Sequence, residues 1–322
     1  MTCFQFLDTQ TYASQLHSVL KMMSSYARNP IVKNYLYKLE QRNHGINTCP
    51  WYHINTGLLS PDLQDKFIPS VFDAGTESFL ENCYTKSDWV FTQMFHNALR
   101  FFFGFFMSMT TVNGLLNRGS MFVCSHEQYK LLLGLTNDTK RSSWLDLGAG
   151  DGKVTECLLP HFDSCYATEQ SPTMRWRLEE KGFQLLDIDK WQNKQYDVIT
   201  ALNLLDRIDQ PLDLLTDLKN SMHADSILLL ALVLPYQPCY ERGASFGPPA
   251  QRLPLNGTSI EEQIESMVKD VLEPQGFEVV NFTRVPYLCE GDLHNDFFVL
   301  TDILFVLKLA SGCSLKDPTV TF

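Results

Sequence analysis

The chain has 322 residues, of which 44% are hydrophobic, 20% charged and 12% aromatic. This excludes a disordered or fibrous chain and accommodates one full α/β domain plus an accessory region. A formal net charge of −11 argues against nonspecific binding to nucleic acid, whose affinity rests on clustered Lys and Arg, and favours cationic or polar peptide partners. Nine cysteines, an odd number with no C-x-x-C pair, read as reduced thiols in a cytoplasmic setting, and Met1–Pro30 carries no signal-peptide run. Eight isolated histidines, with neither H-E-x-x-H nor paired Cys/His spacing, lead to an expectation of no metal.

Helical spacing marks Tyr12–Tyr26 and Val32–Leu39, followed by a looser connection from Asn43 to Pro61. Helices are expected at Asp73–Tyr84, Ser87–Ser108 and Ser125–Leu133, with Asn113-Gly114 and Arg118-Gly119 as breaks. Trp89–Met109 is apolar enough to suggest a membrane span, but His96, Asn97 and Arg100 interrupt it, so a buried amphipathic helix is expected and no integral membrane span.

From Ser142 the pattern changes to alternating strands and helices, the mark of a parallel sheet covered on both faces. This divides the chain into a helical region 1–139, an α/β region 140–309 and a loose tail 310–322. The expected strands are the run ending at Leu147, then Ser164–Glu169, Phe183–Ile188, Tyr196–Leu202 and Ser226–Leu234, with two more at Phe277–Arg284 and Phe297–Lys308. Helices are expected at Leu212–Met222 and Ser259–Leu272, and Pro235–Gly257 and Val285–Asp296 as loops.

The densest signal is Leu145-Asp146-Leu147-Gly148-Ala149-Gly150-Asp151-Gly152-Lys153. Gly148, Gly150 and Gly152 allow a tight turn and close backbone approach to a ligand, and a following helix N-terminus would offer free N–H groups. Asp146, two residues before the first glycine, suits the cationic methionine end of S-adenosylmethionine and would repel a diphosphate. The dinucleotide pattern G-x-G-x-x-G fails at Lys153, which disfavours a nicotinamide oxidoreductase. Glu169, at the end of the second strand, is the candidate for the ribose. Either Asp187 or Asp189 could face the adenine amino group, with Asp189 preferred.

In an open α/β sheet the ligand lies beyond the carboxyl ends of the strands, which directs attention to Leu202-Asn203-Leu204-Leu205-Asp206-Arg207. If this segment makes a helical turn, Asn203 and Asp206 project to the same side and face the methyl donor together. Methyl transfer is an in-line displacement that needs an aligned lone pair and an acceptor for any proton the nucleophile carries; Asp206 can serve as that acceptor. Tyr287, in Thr283–Asp292, could supply an aromatic wall and a hydroxyl.

These residues resemble the methyltransferase-like protein 9 family, also called DREV, a group of seven-β-strand protein-histidine methyltransferases. The resemblance covers most of the chain from about Phe79. It rests on Asn113–Val123, Leu145–Gly152, Tyr166–Glu169, Leu202–Arg207, Leu230–Pro235 and Pro286–Asp292. It implies a Rossmann-like class I methyltransferase sheet and transfer of methyl from S-adenosylmethionine to the pros nitrogen of histidine in His-x-His segments with small x. It also implies that Glu169, Asn203, Tyr287 and the glycine loop with Asp151 hold the cofactor, and that Asp206 is the active-site acid. A monomer acting on protein or peptide substrates is expected. Two alternatives stay open: a small-molecule methyltransferase, and a silent S-adenosylmethionine-binding scaffold. Family members also associate with endoplasmic reticulum and mitochondria through a hydrophobic N-terminal segment, and Met1–Pro30 departs from that pattern.

Overall fold

The computed structural model describes residues 28–43, 47–104, 106–242 and 245–311. The helix expected over Tyr12–Tyr26 and nearly all of the tail expected from Ala310 lie outside the described residues. The strands are β1 (Met121–Phe122), β2 (Arg141–Leu147), β3 (Phe162–Thr168), β4 (Gln184–Leu186), β5 (Tyr196–Leu202), β6 (Met222–Leu234), β7 (Tyr240–Arg242), β8 (Ser245–Gly247), β9 (Phe277–Glu290) and β10 (Phe297–Leu309). Eight of them form one sheet in the order β1-β9-β10-β6-β5-β2-β3-β4, and β7 and β8 form a separate ribbon.

Strands β2 to β6 pair in parallel. Strand β10 runs antiparallel between β6 and β9, and β1 adds antiparallel to the outer edge of β9. Apart from that two-residue edge strand, this is the seven-strand Rossmann-like α/β sheet expected from the sequence. Strand order reverses between β2 and β5, so the ligand crevice of such a sheet opens at their carboxyl ends.

Alternate residues of each strand feed two cores, as the twofold pleat requires. Leu145, Ile199, Leu230 and Phe305 pack on one face with Leu215 and Leu218 of the helix Pro211–Asn220. Trp144, Val198, Leu229 and Leu304 pack on the other with Tyr129, Leu132 and Leu178. The central part of β6, Ser226–Leu232, is buried throughout, as befits a strand covered on both sides.

Three expectations are corrected. First, β9 runs on to Glu290, so Val285–Glu290 is strand rather than loop. Pro286 masked this, because proline cannot donate to a ladder and reads as a strand end. Second, Asn113-Gly114 is no break: the helix α1 (Met109–Leu116) passes through it, capped by Ser108 and closed by left-handed Asn117. Gly114 is needed for packing, since a Cβ there would stand 2.5 Å from the Thr173 hydroxyl. Third, the helix Val90–Phe103 is not buried. Phe91 is 88% and Phe101 75% exposed, and only Gln93 is buried, bonded to Arg118. Among the described residues no helix is long and apolar enough to cross a membrane.

The helical residues before the sheet are tied to the β9–β10 hairpin by charge. Arg42 of the helix Pro30–Asn43 makes two hydrogen bonds of 2.7 Å to Asp296, which also accepts from Ser87 at 2.6 Å. Burial alone would raise the Asp296 carboxyl, but the Arg42 and Ser87 hydrogen bonds hold it below the ordinary range. Asp296→Ala leaves buried Lys38 without its carboxylate and Arg42 with only the more exposed Asp88, and is expected to cost about 3 kcal/mol in chemical denaturation. A loss below about 0.5 kcal/mol would mean the network contributes only as surface pairs do.

Candidate active site

After β2 the chain turns through Gly148, Gly150 and Gly152 with φ of 64, 57 and 75°, a region costing other residues about 1–2 kcal/mol. A Cβ at Gly148 would lie 3.0 Å from Leu204 and one at Gly152 2.9 Å from Leu178, whereas one at Gly150 meets nothing within 4 Å. Gly150 therefore presents bare backbone to open space. The α-helix expected after this loop does not form; turns lead into a 3₁₀ helix, Glu156–His161. Pro160 accounts for this, lacking the N–H and the clearance that an α-helical turn needs there. Lys153 folds back instead, bonding Asn117 and pairing with Asp151 at 2.9 Å.

The loop hands its amides to the acid at the end of β3. Glu169 accepts from Gly150 N at 3.0 Å and from Ser171 N at 2.8 Å. Each carboxylate oxygen keeps a second acceptor direction for a ligand hydroxyl. Asp146 also lines the cavity. Its carboxyl is buried between Thr200, at 2.5 Å, and Thr155, at 2.6 Å, and burial pushes it up to about 6. The two hydroxyls brace it beneath the loop, and each oxygen keeps one acceptor direction beyond its hydroxyl. Asp189 is exposed and stands off the cavity wall, which takes Ile188 and Trp191 instead. Asp187 is a surface partner of Lys190.

Beyond β5 the chain does not make the helical turn that would align Asn203 with Asp206. Asn203 is left-handed, φ 54°, and its backbone N–H is held by Ala231 O at 3.1 Å. Asn203 lines the cavity, whereas Asp206 is only 3% exposed and lies behind that wall. Asp206 Oδ2 accepts from Arg207 Nε at 3.2 Å, and Oδ1 has no partner. Burial raises the Asp206 carboxyl, partly offset by Arg207. Arg207 in turn reaches Cys239 Sγ at 2.9 Å. Tyr287, on β9, lines the cavity with its hydroxyl directed to the Met121 sulfur, and burial holds the phenol well above its ordinary value.

One residue of this cluster escaped the sequence reading. Asp302 of β10 is fully buried, and Asn203 Nδ2 donates to it at 2.7 Å. Burial pushes its carboxyl up to about 8, with Asp206 adding to the rise and Asn203 opposing it. The only signal was an acid inside the apolar run Phe297–Leu309. Both Asp146 and Asp302 titrate above the unfolded value of about 3.9. The native state therefore holds more protons than the unfolded chain between that value and about 6 for Asp146, and about 8 for Asp302. Stability accordingly falls as pH rises through those windows. Melting temperature is expected to decline from about pH 4 to about pH 8, with Asp302→Leu flattening the part above about pH 6; a flat wild-type profile would contradict this.

The cavity holds about 980 Å³ and gathers Asp151, Glu169, Asn203 and Tyr287 with the glycine loop. That is the top of the range for a single small ligand, roughly 300–1,000 Å³, so a cofactor and a second group can share it. The bare Gly150 backbone, the paired acceptor Glu169 and the unpartnered oxygen of Asn203 fit S-adenosylmethionine, whose ribose and amino groups are donors. Among the described residues no group of three or more His, Cys, Asp or Glu could hold a metal ion.

Comparison with known proteins gives structural overlaps and one family match. A S-adenosylmethionine-dependent methyltransferase from Clostridium acetobutylicum overlaps at TM-score 0.35 with 16% identity, covering 54% of this chain and 86% of its own. The N-methyltransferase NodS from Bradyrhizobium japonicum, in complex with S-adenosyl-L-homocysteine, overlaps at 0.36 with 15% identity, covering 57% and 85%. A putative methyltransferase from Bacillus halodurans overlaps at 0.39 with 12% identity, covering 57% and 98%. Overlaps of this size carry no argument about chemistry. The family profile does: DREV methyltransferase matches residues 51–309, a span that takes in the glycine loop, Asn203, Asp206, Tyr287 and Asp302. The chain is a member of the DREV methyltransferase family, an α/β enzyme that uses S-adenosylmethionine and releases S-adenosylhomocysteine.

Proposed function

We propose that this methyltransferase acts on histidine in protein segments of the form His-x-His with small x, at the pros nitrogen. The observation that carries the reading is the Asp206 carboxylate, buried behind the cavity wall with one oxygen on Arg207 and the other without a partner. The family resemblance supplies the imidazole. In this reading Asn203 has two roles, holding the cofactor and fixing the geometry at the transfer point, while Glu169, Gly148, Gly150, Asp151 and Tyr287 form the cofactor cradle.

S-adenosylmethionine, when bound, supplies an electrophilic methyl on sulfur. The chain's residues have the remaining tasks. An imidazole with a pKa of about 6.5 is mostly neutral at cell pH, with a lone pair on one nitrogen and hydrogen on the other. A carboxylate accepting the tele N–H fixes the tautomer that aims the pros lone pair at the methyl, and it stabilises the ring cation as transfer proceeds. Arg207 Nε–H at Asp206 marks where such a planar N–H donor sits, and the substrate ring takes that place while Arg207 keeps its contact with Cys239. Low dielectric around Asp206 strengthens the contact once the cavity is filled. Acids around the mouth and a net charge of −11 favour cationic peptide over nucleic acid. The proposal includes a monomeric enzyme in a reducing, cytoplasmic setting.

The test is to incubate the protein with labelled S-adenosylmethionine and, separately, peptides carrying His-Ala-His, peptides carrying Ala-Ala-Ala, and free histidine. Label confined to the His-Ala-His peptide is the expected outcome. Transfer to free histidine at the same rate would favour a small-molecule enzyme, and no transfer with the cofactor bound would favour a silent scaffold.

A further inference from the structure

We infer that Asp302 is a positioning residue for the methyl-transfer site: it holds the Asn203 amide by its nitrogen, so that the amide oxygen is the group offered to the cavity. The inference rests on the reading of this cavity as the cofactor site.

Asp302 sits in β10 opposite Val233 of β6 and Val285 of β9, within a strand otherwise apolar from Ile303 to Leu307. It is fully buried, and among the described residues no lysine or arginine pairs with it. A carboxyl in such a place lowers stability, and an apolar residue of similar size would fill the strand better. What the carboxyl does here is accept Asn203 Nδ2 at 2.7 Å. The backbone N–H of Asn203 is already fixed by Ala231 O at 3.1 Å, in a left-handed conformation that side chains other than glycine, Asn and Asp rarely adopt. With the backbone N–H and Nδ2 both bonded, Oδ1 is left sealed from solvent and without a protein partner. Asn203 lines a cavity that takes a ligand rich in N–H and O–H donors, and Asp302 decides which end of the amide stands ready as an acceptor for it. Protonation of Asp302 leaves this intact, because a carboxylic acid keeps a carbonyl oxygen that accepts from Nδ2.

The test is a double-mutant cycle on the full-length protein, read by calorimetry with S-adenosylhomocysteine and by thermal melting. Asp302→Leu is expected to melt at or above the wild-type temperature yet bind at least about tenfold more weakly, the effect of one misdirected hydrogen bond in a buried site. Asp302→Asn, which keeps an acceptor oxygen, is expected to restore binding to within about threefold. The variant carrying both Asp302→Leu and Asn203→Ala should bind no worse than Asn203→Ala alone, since the two residues act as one unit. Additive losses, or wild-type affinity in Asp302→Leu, overturn the proposal. Where Asp302→Leu does not fold, the side-chain amide protons of Asn203 in the wild type decide by nuclear magnetic resonance: a slowly exchanging proton supports the assignment, and free exchange of both overturns it. A wild-type protein that binds no S-adenosylhomocysteine overturns the reading of the cavity itself, and this proposal with it.

Discussion

Asp206→Ala is expected to bind S-adenosylmethionine within about threefold of wild type and to lose at least about 10²-fold in turnover, up to about 10⁴-fold. The separation of the two effects follows from position. Asp206 lies behind the cavity wall, so its removal takes nothing from the surface that holds the cofactor. It does remove the acceptor proposed for the ring N–H, and it leaves Arg207 with Cys239 as its remaining partner in the site. Asp206→Asn is the sharper comparison, because the amide keeps shape and one acceptor oxygen but no charge. Turnover in Asp206→Asn is expected to stay within about tenfold of Asp206→Ala, since it is charge that stabilises the developing ring cation. Calorimetry for the cofactor and single-turnover kinetics for transfer separate these quantities. Unchanged turnover in either variant would remove Asp206 from the chemistry.

Gly150→Arg is expected to abolish cofactor binding, by more than about 10²-fold, while the protein still folds. A Cβ at Gly150 meets no atom within 4 Å, so the protein itself has room for a side chain to start there, at the cost of about 1–2 kcal/mol for a left-handed residue. The guanidinium then fills the space beside Glu169, which already accepts from the Gly150 amide. Gly148 and Gly152 are poorer positions for this test, because Leu204 and Leu178 stand 3.0 and 2.9 Å from the new carbon and packing would change together with binding. Circular dichroism of a native spectrum beside a flat calorimetric trace is the expected pair of results. Retained binding would place the cofactor away from this loop.

Much of the sheet was legible because its strands are rich in apolar residues and the loop after β2 carries glycine at its turns. Tyr196–Leu202 was read to the residue, and the glycine loop marks the crevice by backbone geometry that few other sequences can adopt. Other features were not legible, for physical reasons. Hydrophobic composition says that the helix Val90–Phe103 has an apolar face but not that anything in the fold covers it, and Phe91 and Phe101 are left exposed. Local spacing placed Asn203 and Asp206 on one side, yet the left-handed turn at Asn203 sends the amide to the cavity and the acid behind it. Asp146 is bound by hydroxyls of Thr155 and Thr200, nine and fifty-four residues away in sequence, a distance over which one chain read alone has no signal. Asp302 reaches Asn203 across ninety-nine residues for the same reason, its single trace being an acid in an apolar strand.

The proposed reaction delivers methyl to one particular nitrogen of a peptide histidine, held in its tautomer by Asp206. The most direct measurement is chromatography of the acid hydrolysate of a His-Ala-His peptide after reaction with labelled S-adenosylmethionine, comparing the label with standards of pros- and tele-methylhistidine. Label in pros-methylhistidine alone is the expected result, because the carboxylate would hold the tele N–H. Label in tele-methylhistidine, or on any other residue, would contradict it.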